Sequence, residues 1–212
     1  MSHTMAIVAV DGSYDEDELE KAVEEQMAPF DENGEWFRDG SRWDWWMVGG
    51  RYSGRLATEK ETGLDFVRKK DLCLEAIRKG YRERAARAWE EASKKWPDDP
   101  GLREAIYGIK PDQTREEYIA DRANFPLSAH TFLMDLEWHE SGRMGWWGAA
   151  ATPESGEEEG VSVCVSTHKR LRQAKIVTHN NLSQEEWAEK FFEMFIKPLP
   201  EDAWIVVVDY HV

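Results

Sequence analysis

Cysteine is nearly absent: Cys73 and Cys164 are the only two in 212 residues. Far apart in sequence, they are expected to be two reduced, partly buried thiols and not a disulfide framework. Long hydrophobic runs are missing too. No stretch approaches the roughly twenty apolar residues of a membrane-spanning helix, so no membrane partner is expected. The opening Met-Ser-His-Thr-Met has no basic segment followed by a hydrophobic one, which leaves secretion unsupported and a cytoplasmic location expected. Positive charge is also short. Lys and Arg number 27 against 42 Asp and Glu, a formal charge of −15, which disfavours duplex nucleic acid as a partner.

What the chain does have is aromatic mass. Apolar residues make up 41% and aromatics 12%, with 11 Trp, so most of the chain can bury a core and disorder is not expected. The length favours one domain over residues 1–212. Charge is unevenly spread. Residues 11–39 hold twelve acids against Lys21 and Arg38, and residues 68–95 hold ten bases against five acids. Solvated helix faces account for this pattern; an acidic surface that engages a basic partner is the sharper alternative.

Periodicity then orders the elements. Residues 5–10, Met-Ala-Ile-Val-Ala-Val, read as a buried strand. Ser13 and Glu16 form a capping-box pattern, Leu19, Ala22, Val23 and Met27 share a helical face, and Pro29 ends that helix. Residues 64–125, rich in Ala, Arg, Glu and Lys and poor in β-branched side chains, predict a helical insertion. It is interrupted at Pro97–Gly101 and expected to pack on the sheet through Trp89 and Trp96. Strands are expected at 131–138 and 161–166. Ser183 and Glu186 mark another helix start, with Trp187, Phe191 and Phe195 as its apolar stripe. The most apolar strand, near residues 203–212, is expected at the centre. Together these predict an α+β fold: an antiparallel or mixed sheet with helices packed on one face, a ferredoxin-like arrangement being one candidate.

The densest segment is Trp43-Asp44-Trp45-Trp46-Met47-Val48-Gly49-Gly50-Arg51-Tyr52-Ser53-Gly54-Arg55, which reads as a strand running into a glycine turn. Alternation would put Trp43 and Trp45 on one sheet face and Asp44 and Trp46 on the other. Two further blocks stand out: Glu137-Trp138-His139-Glu140-Ser141-Gly142-Arg143-Met144-Gly145-Trp146-Trp147-Gly148, and Val207-Val208-Asp209-Tyr210-His211-Val212. The three blocks, in this order, resemble a family of uncharacterised proteins encoded by bacteriophages and integrated mobile elements, many from actinobacterial hosts. The resemblance implies a phage or prophage accessory protein in the bacterial host's cytoplasm. Such a protein would act by binding and modulate a host or defence protein. It implies no reaction.

Two chemistries compete for these residues. Gly49 and Gly50 can take positive φ and aim backbone N–H groups at an anion. Arg51 and Arg55 add planar forks for phosphate or carboxylate, and Trp43, Trp45, Trp46, Trp146 and Trp147 offer stacking faces. Asp44 completes the candidate ligand-binding set, whose ligand would be a nucleotide-like small molecule. The segment nevertheless fits no P-loop and no dinucleotide-binding pattern. The competing reading is a tight strand corner whose arginines stack on tryptophans and pair with Asp44. His139, Glu140, Asp209 and His211 are the candidate acid–base residues. Their spacing matches no established zinc pattern, so none is assigned to a metal, and no cofactor is assigned. His168 and His179 flank a basic stretch that reads as a surface loop. No nucleophile-elbow setting or Ser/Cys triad is found. Oligomeric state is not legible. The three blocks should meet in space, and whether their meeting point is open decides between site and corner.

Overall fold

The computed structural model describes residues 3–28, 31–33, 43–123, 127, 129, 131–134, 142–146, 160–166, 175–180 and 189–211, with backbone only for residue 194 and for the strands between 131 and 180 other than Phe132. The chain begins with β1 (His3–Val10), a short 3-10 turn at Glu16–Glu18 and α1 (Leu19–Met27). Next come β2 (Trp45–Val48), a 3-10 turn at Gly50–Tyr52, β3 (Leu56–Ala57), β4 (Thr62–Leu64) and β5 (Phe66–Arg68). Three helices follow: α2 (Leu74–Ser93), α3 (Pro100–Tyr107) and α4 (Arg115–Ala123). The remaining strands are β6 (Thr131–Met134), β7 (Gly142–Trp146), β8 (Gly160–Ser166), β9 (Lys175–Asn180) and β10 (Trp204–His211). Residues 189–191 are helical and pass into a π-helical turn at Phe192–Ile196.

The fold is α+β on a mixed sheet. Strand order is β2-β10-β1-β6-β7-β8-β9, with β5 also paired to β10. The β1–β6 pair is parallel and the other pairings are antiparallel. This order does not establish a ferredoxin-like arrangement. β10 does lie inside the sheet, as its composition suggested. It is buried from Trp204 to Tyr210 because β1 runs along one side while β2 and β5 share the other. An apolar run covered on both faces has no solvent side, which is why its sequence does not alternate.

Both faces of the sheet carry helical residues, which corrects the expectation of helices on one face. Ala6, Val8, Val10, Val206 and Val208 pack with Leu19, Ala22, Val23 and Met27 of α1. Ile7, Ala9, Ile205 and Val207 turn the other way and pack with Ile77 of α2 and with Phe191, Phe195 and Ile196. Burial of each Val, Leu, Ile, Phe or Met among these contributes about 1.5–3 kcal/mol, more than the roughly 1 kcal/mol of a helix cap, so the apolar stripes position these helices. The cap of the first helical segment also differs from expectation. Asp15, not Ser13, is the N-cap, and its box partner is Glu18.

The helical insertion is shorter than residues 64–125. Its first residues instead form β5 in the main sheet, and the helices occupy 74–123. Trp89 and Trp96 do not serve packing on the sheet. They meet edge to face at 5.0 Å and, with Tyr118, help close a separate small core containing Ala85, Ala92 and Ile109. No described helix is long and apolar enough to cross a membrane.

Candidate functional site

β2 leaves the sheet at Gly49 and the chain returns at Asp65, so residues 49–65 form an excursion from the sheet edge. Both ends are fastened to one residue of β10. The Gly49 N–H donates to the Val207 carbonyl at 2.9 Å, and the Val207 N–H donates to the Asp65 carbonyl at 2.8 Å. Gly49 (φ 71°) and Gly50 (φ 53°) make the sharp exit. Positive φ costs an L side chain energy, and here space is also denied. A Cβ on Gly50 would lie 2.5 Å from Asp209 Cβ.

Two carboxylates hold this excursion. Asp65 accepts the Gly54 N–H at 2.6 Å on Oδ1 and the Ser53 hydroxyl at 3.0 Å on Oδ2. Asp209, only 1% exposed, accepts the Arg51 N–H at 2.9 Å on Oδ2. Its oxygens also lie 3.0 and 3.2 Å from His3 Nδ1. A buried carboxylate needs such partners, because an isolated charge out of water costs several kcal/mol. The glycine turn does not aim the Gly49 N–H at an anion, since that group is taken by the Val207 carbonyl. The Arg51 N–H that follows the two glycines is the one that meets a carboxylate, the protein's own Asp209.

A second His–Asp pair stands beside the first. His211 Nδ1 lies 2.6 Å from Asp44 Oδ1, and the His3 and His211 rings are 5.6 Å apart, as expected for Cα partners across β1 and β10. In each pair a ring Nδ1–H facing the carboxylate satisfies the contact. His211 Nε2 is buried without a hydrogen-bond partner among the described residues. The Tyr52 hydroxyl donates to the His3 carbonyl at 2.9 Å, fastening the excursion to β1 as well. Burial first, and then the negative Asp209, push the Tyr52 hydroxyl above its ordinary pKa, with Arg55 and Arg51 opposing.

The structure divides the predicted site residues. Asp44, Trp45, Gly49, Gly50 and Arg51 come together with Asp209 and His211. Trp43 does not share a face with Trp45, which corrects the alternation. β2 begins only at Trp45, and Trp43 turns to the α1 side, where it is 1% exposed and packs on Tyr210 at 5.4 Å. Trp46 packs in that same cluster. Trp45 is 43% exposed and meets the His3 ring at 5.7 Å, while Met47, next on that face, is 44% exposed. Arg51 is exposed, and its side chain has no ion pair among the described residues. Neither arginine pairs with Asp44. Arg55 instead lies 5.8 Å from the Tyr52 ring and 5.0 Å from the Tyr81 ring of α2. Arg84, 4.6 Å from the same Tyr81, donates to the Gly54 carbonyl at 3.1 Å. Burial and the adjacent Arg55 lower the Arg84 pKa.

Trp146 ends β7, in register with Thr131 and through it Ala6. Its backbone is three strand spacings from β10, about 14 Å across the sheet. His139, Glu140, Trp147, His168 and the Ser183/Glu186 helix start lie outside the described residues. Three contributors escaped the sequence reading: His3, Tyr52 and Asp65. His3 extends the odd-numbered row Met5, Ile7, Ala9 by one step, but its partners appear only once β1 is paired with β10. Among the described residues, no group of three or more His, Cys, Asp or Glu side chains is placed to hold a metal ion.

The fold and site define an α+β protein with a carboxylate-clamped loop beside two His–Asp pairs. No family model matches the chain, and neither the curated proteins nor the solved structures contain a match.

Proposed function

We propose that this protein acts by binding, and that the face bearing Trp45, Met47, His3 and Arg51 meets the partner. The observation that supports this most is the exposure of Trp45 and Met47 on the edge strand β2. They are two of four large exposed hydrophobics among the described residues, and the exposed Arg51 is fastened through its N–H to Asp209, the register partner of Met47. Aromatic, Met and Arg side chains are the types enriched in interfaces. The Gly49 N–H is held by the Val207 carbonyl and the Arg51 N–H by Asp209, which favours binding over phosphate chemistry at the glycine turn itself. This reading agrees with the phage or prophage accessory role implied by the sequence blocks, in which a host or defence protein is the partner.

The test is affinity capture from bacterial host lysate with the wild-type chain and with Trp45→Ser/Met47→Ser. A stoichiometric partner retained by the wild type and lost by the folded double variant is expected. The same capture by both, or no stoichiometric partner, overturns the reading.

A second reading draws on the two imidazoles 5.6 Å apart. Trp45 would stack on a nucleotide-like ligand and Arg51 would take its anionic group, with His3 and His211 oriented by Asp209 and Asp44. A nucleotide panel followed by thermal shift separates the two readings. Ligand at one hundred times its dissociation constant adds about 2.7 kcal/mol of stability, which is readily seen.

A further inference from the structure

The excursion from the sheet edge carries a cluster of positive charge where it meets α2. Gly54 (φ 77°) turns the chain so tightly that a Cβ on it would lie 3.3 Å from the Gly63 Cα. The next residue, Arg55, reaches α2, its guanidinium 5.0 Å from the Tyr81 ring and 5.8 Å from the Tyr52 ring. Arg84 stands three residues after Tyr81 on the same helix. Its guanidinium is 4.6 Å from that ring, and its Nη1 donates to the Gly54 carbonyl at 3.1 Å. Sharing one ring holds the two guanidinium groups within about 10 Å of each other. Arg87, exposed and three residues further along α2, adds a third positive charge.

Among the described residues, no carboxylate forms an ion pair with Arg55, Arg84 or Arg87. Glu75, at the start of α2, pairs with Arg78 and Arg82 instead. Asp65, the acid of the excursion, has both oxygens engaged by the Gly54 N–H and the Ser53 hydroxyl. Arg55 is half-buried, yet its guanidinium has no hydrogen-bond acceptor among the described residues. Arg84 Nε is buried and likewise without an acceptor there. Burial first, and then Arg55, lower the Arg84 pKa; Tyr81 opposes this and Arg87 adds to it. Gathering like charges and withdrawing their donors from water costs free energy that no acceptor here returns. Gly80, one turn before Arg84, also leaves this face of α2 uncovered, although glycine inside a helix costs about 1 kcal/mol. A Cβ there would stand 3.5 Å from Arg84 Nη1.

We propose that Arg55 and Arg84 form a binding site for the phosphate group of a small phosphate monoester. Charge and oxygen count select this chemistry. A carboxylate has one charge and two oxygens, which a single guanidinium fork satisfies. A phosphate monoester carries a charge of about −1.5 to −2 and three acceptor oxygens, enough for two forks. It accepts from Arg55 and from the remaining donors of Arg84, while Arg84 Nη1 stays on the Gly54 carbonyl. The formal charge of −15 over the whole chain repels a long polyanion, so a small ligand is favoured over a nucleic-acid strand. The site uses neither Trp45 nor the two imidazoles, and so stands apart from both readings of that face.

The test is isothermal titration calorimetry with glycerol phosphate, with acetate as the carboxylate control and dimethyl phosphate as the singly charged one. Saturable binding of glycerol phosphate is expected, with both controls weaker by about tenfold or more. Arg55→Gln should weaken it by about tenfold or more in a folded protein, since no hydrogen bond of the fold depends on that side chain. Arg55→Lys, which keeps the charge and loses the fork, should weaken it less. Trp45→Ser/Met47→Ser should bind as the wild type does, so failure here is distinguishable from failure at the other face. Four results would overturn the proposal: no saturable binding, equal affinity for acetate, undiminished binding to Arg55→Gln, or loss of binding by the Trp45/Met47 variant.

Discussion

The Arg51 backbone N–H donates to the Asp209 carboxylate at 2.9 Å, across 158 positions of sequence. The glycine turn and the last strand are thereby one structural unit. Asp209→Ala would leave the Arg51 N–H and the His3 ring without their acceptor in a buried setting. The expected loss is about 3 kcal/mol, the range for breaking a buried pair. Asp209→Asn, which keeps one acceptor oxygen, should lose less, about 1–2 kcal/mol. Urea unfolding reads both, and a loss below about 0.5 kcal/mol for the alanine variant would show that the Asp209 contacts are not structural.

Gly50 and Gly63 provide a matched contrast. Both have positive φ, 53° and 83°, but a Cβ on Gly50 collides with Asp209 whereas one on Gly63 meets nothing within 4 Å. Gly63→Ala should cost only the backbone term, about 1 kcal/mol. Gly50→Ala adds the collision and should cost several times as much, of the order of 3 kcal/mol. Equal denaturation midpoints for the two variants would contradict the crowding at Asp209.

Trp43 and Trp45, two residues apart, should respond oppositely. Trp43→Ala empties a site that is 1% exposed and should cost about 3–5 kcal/mol. Trp45→Ala removes a ring that is 43% exposed and should change stability by no more than about 0.5 kcal/mol, while abolishing partner capture. Thermal unfolding of the two variants checks the first half of each statement.

Tyr52 carries a pH signature. Its hydroxyl is shifted above the ordinary 10.0, chiefly by burial and then by Asp209. The folded state therefore keeps that proton at pH values where the unfolded chain releases it. Linkage makes this term neutral below the unfolded value, and stability falls as pH rises from about 10 towards the folded value. Tyr52→Phe should lose less stability than the wild type between neutral pH and about pH 11. It should also remove a tyrosine that ionises above the ordinary value from the alkaline absorbance titration. An unchanged titration curve would refute the assignment.

Much of the architecture was legible because burial writes period into sequence. The α1 stripe, the apolar β10 and the glycine exit after Val48 all follow from local pattern. Trp43 was misplaced because alternation holds only inside a strand, and the chain turns before Trp45. The two-sided helix packing was missed since β1 and β10 are apolar on both faces, a pattern that does not say which helix covers which. The site was half legible. Asp44, Arg51, Asp209 and His211 carried visible chemistry, but His3 gains meaning only through a register with β10 that no local signal encodes. The partner of Asp44 was misread for the same reason. A nearby arginine in sequence was preferred to a distant histidine in space.

The pairing of β1 with β10 also has a cost in time. His3 and Asp209 are 206 positions apart, and contacts of such separation must be closed against chain entropy, which slows folding. Throughout elongation on the ribosome, the Met5–Val10 segment must wait without its antiparallel neighbour, an apolar strand edge open to misassociation. The acidic residues that follow it, from Asp11 to Glu25, then act as gatekeepers, keeping the waiting strand soluble until its partner is made.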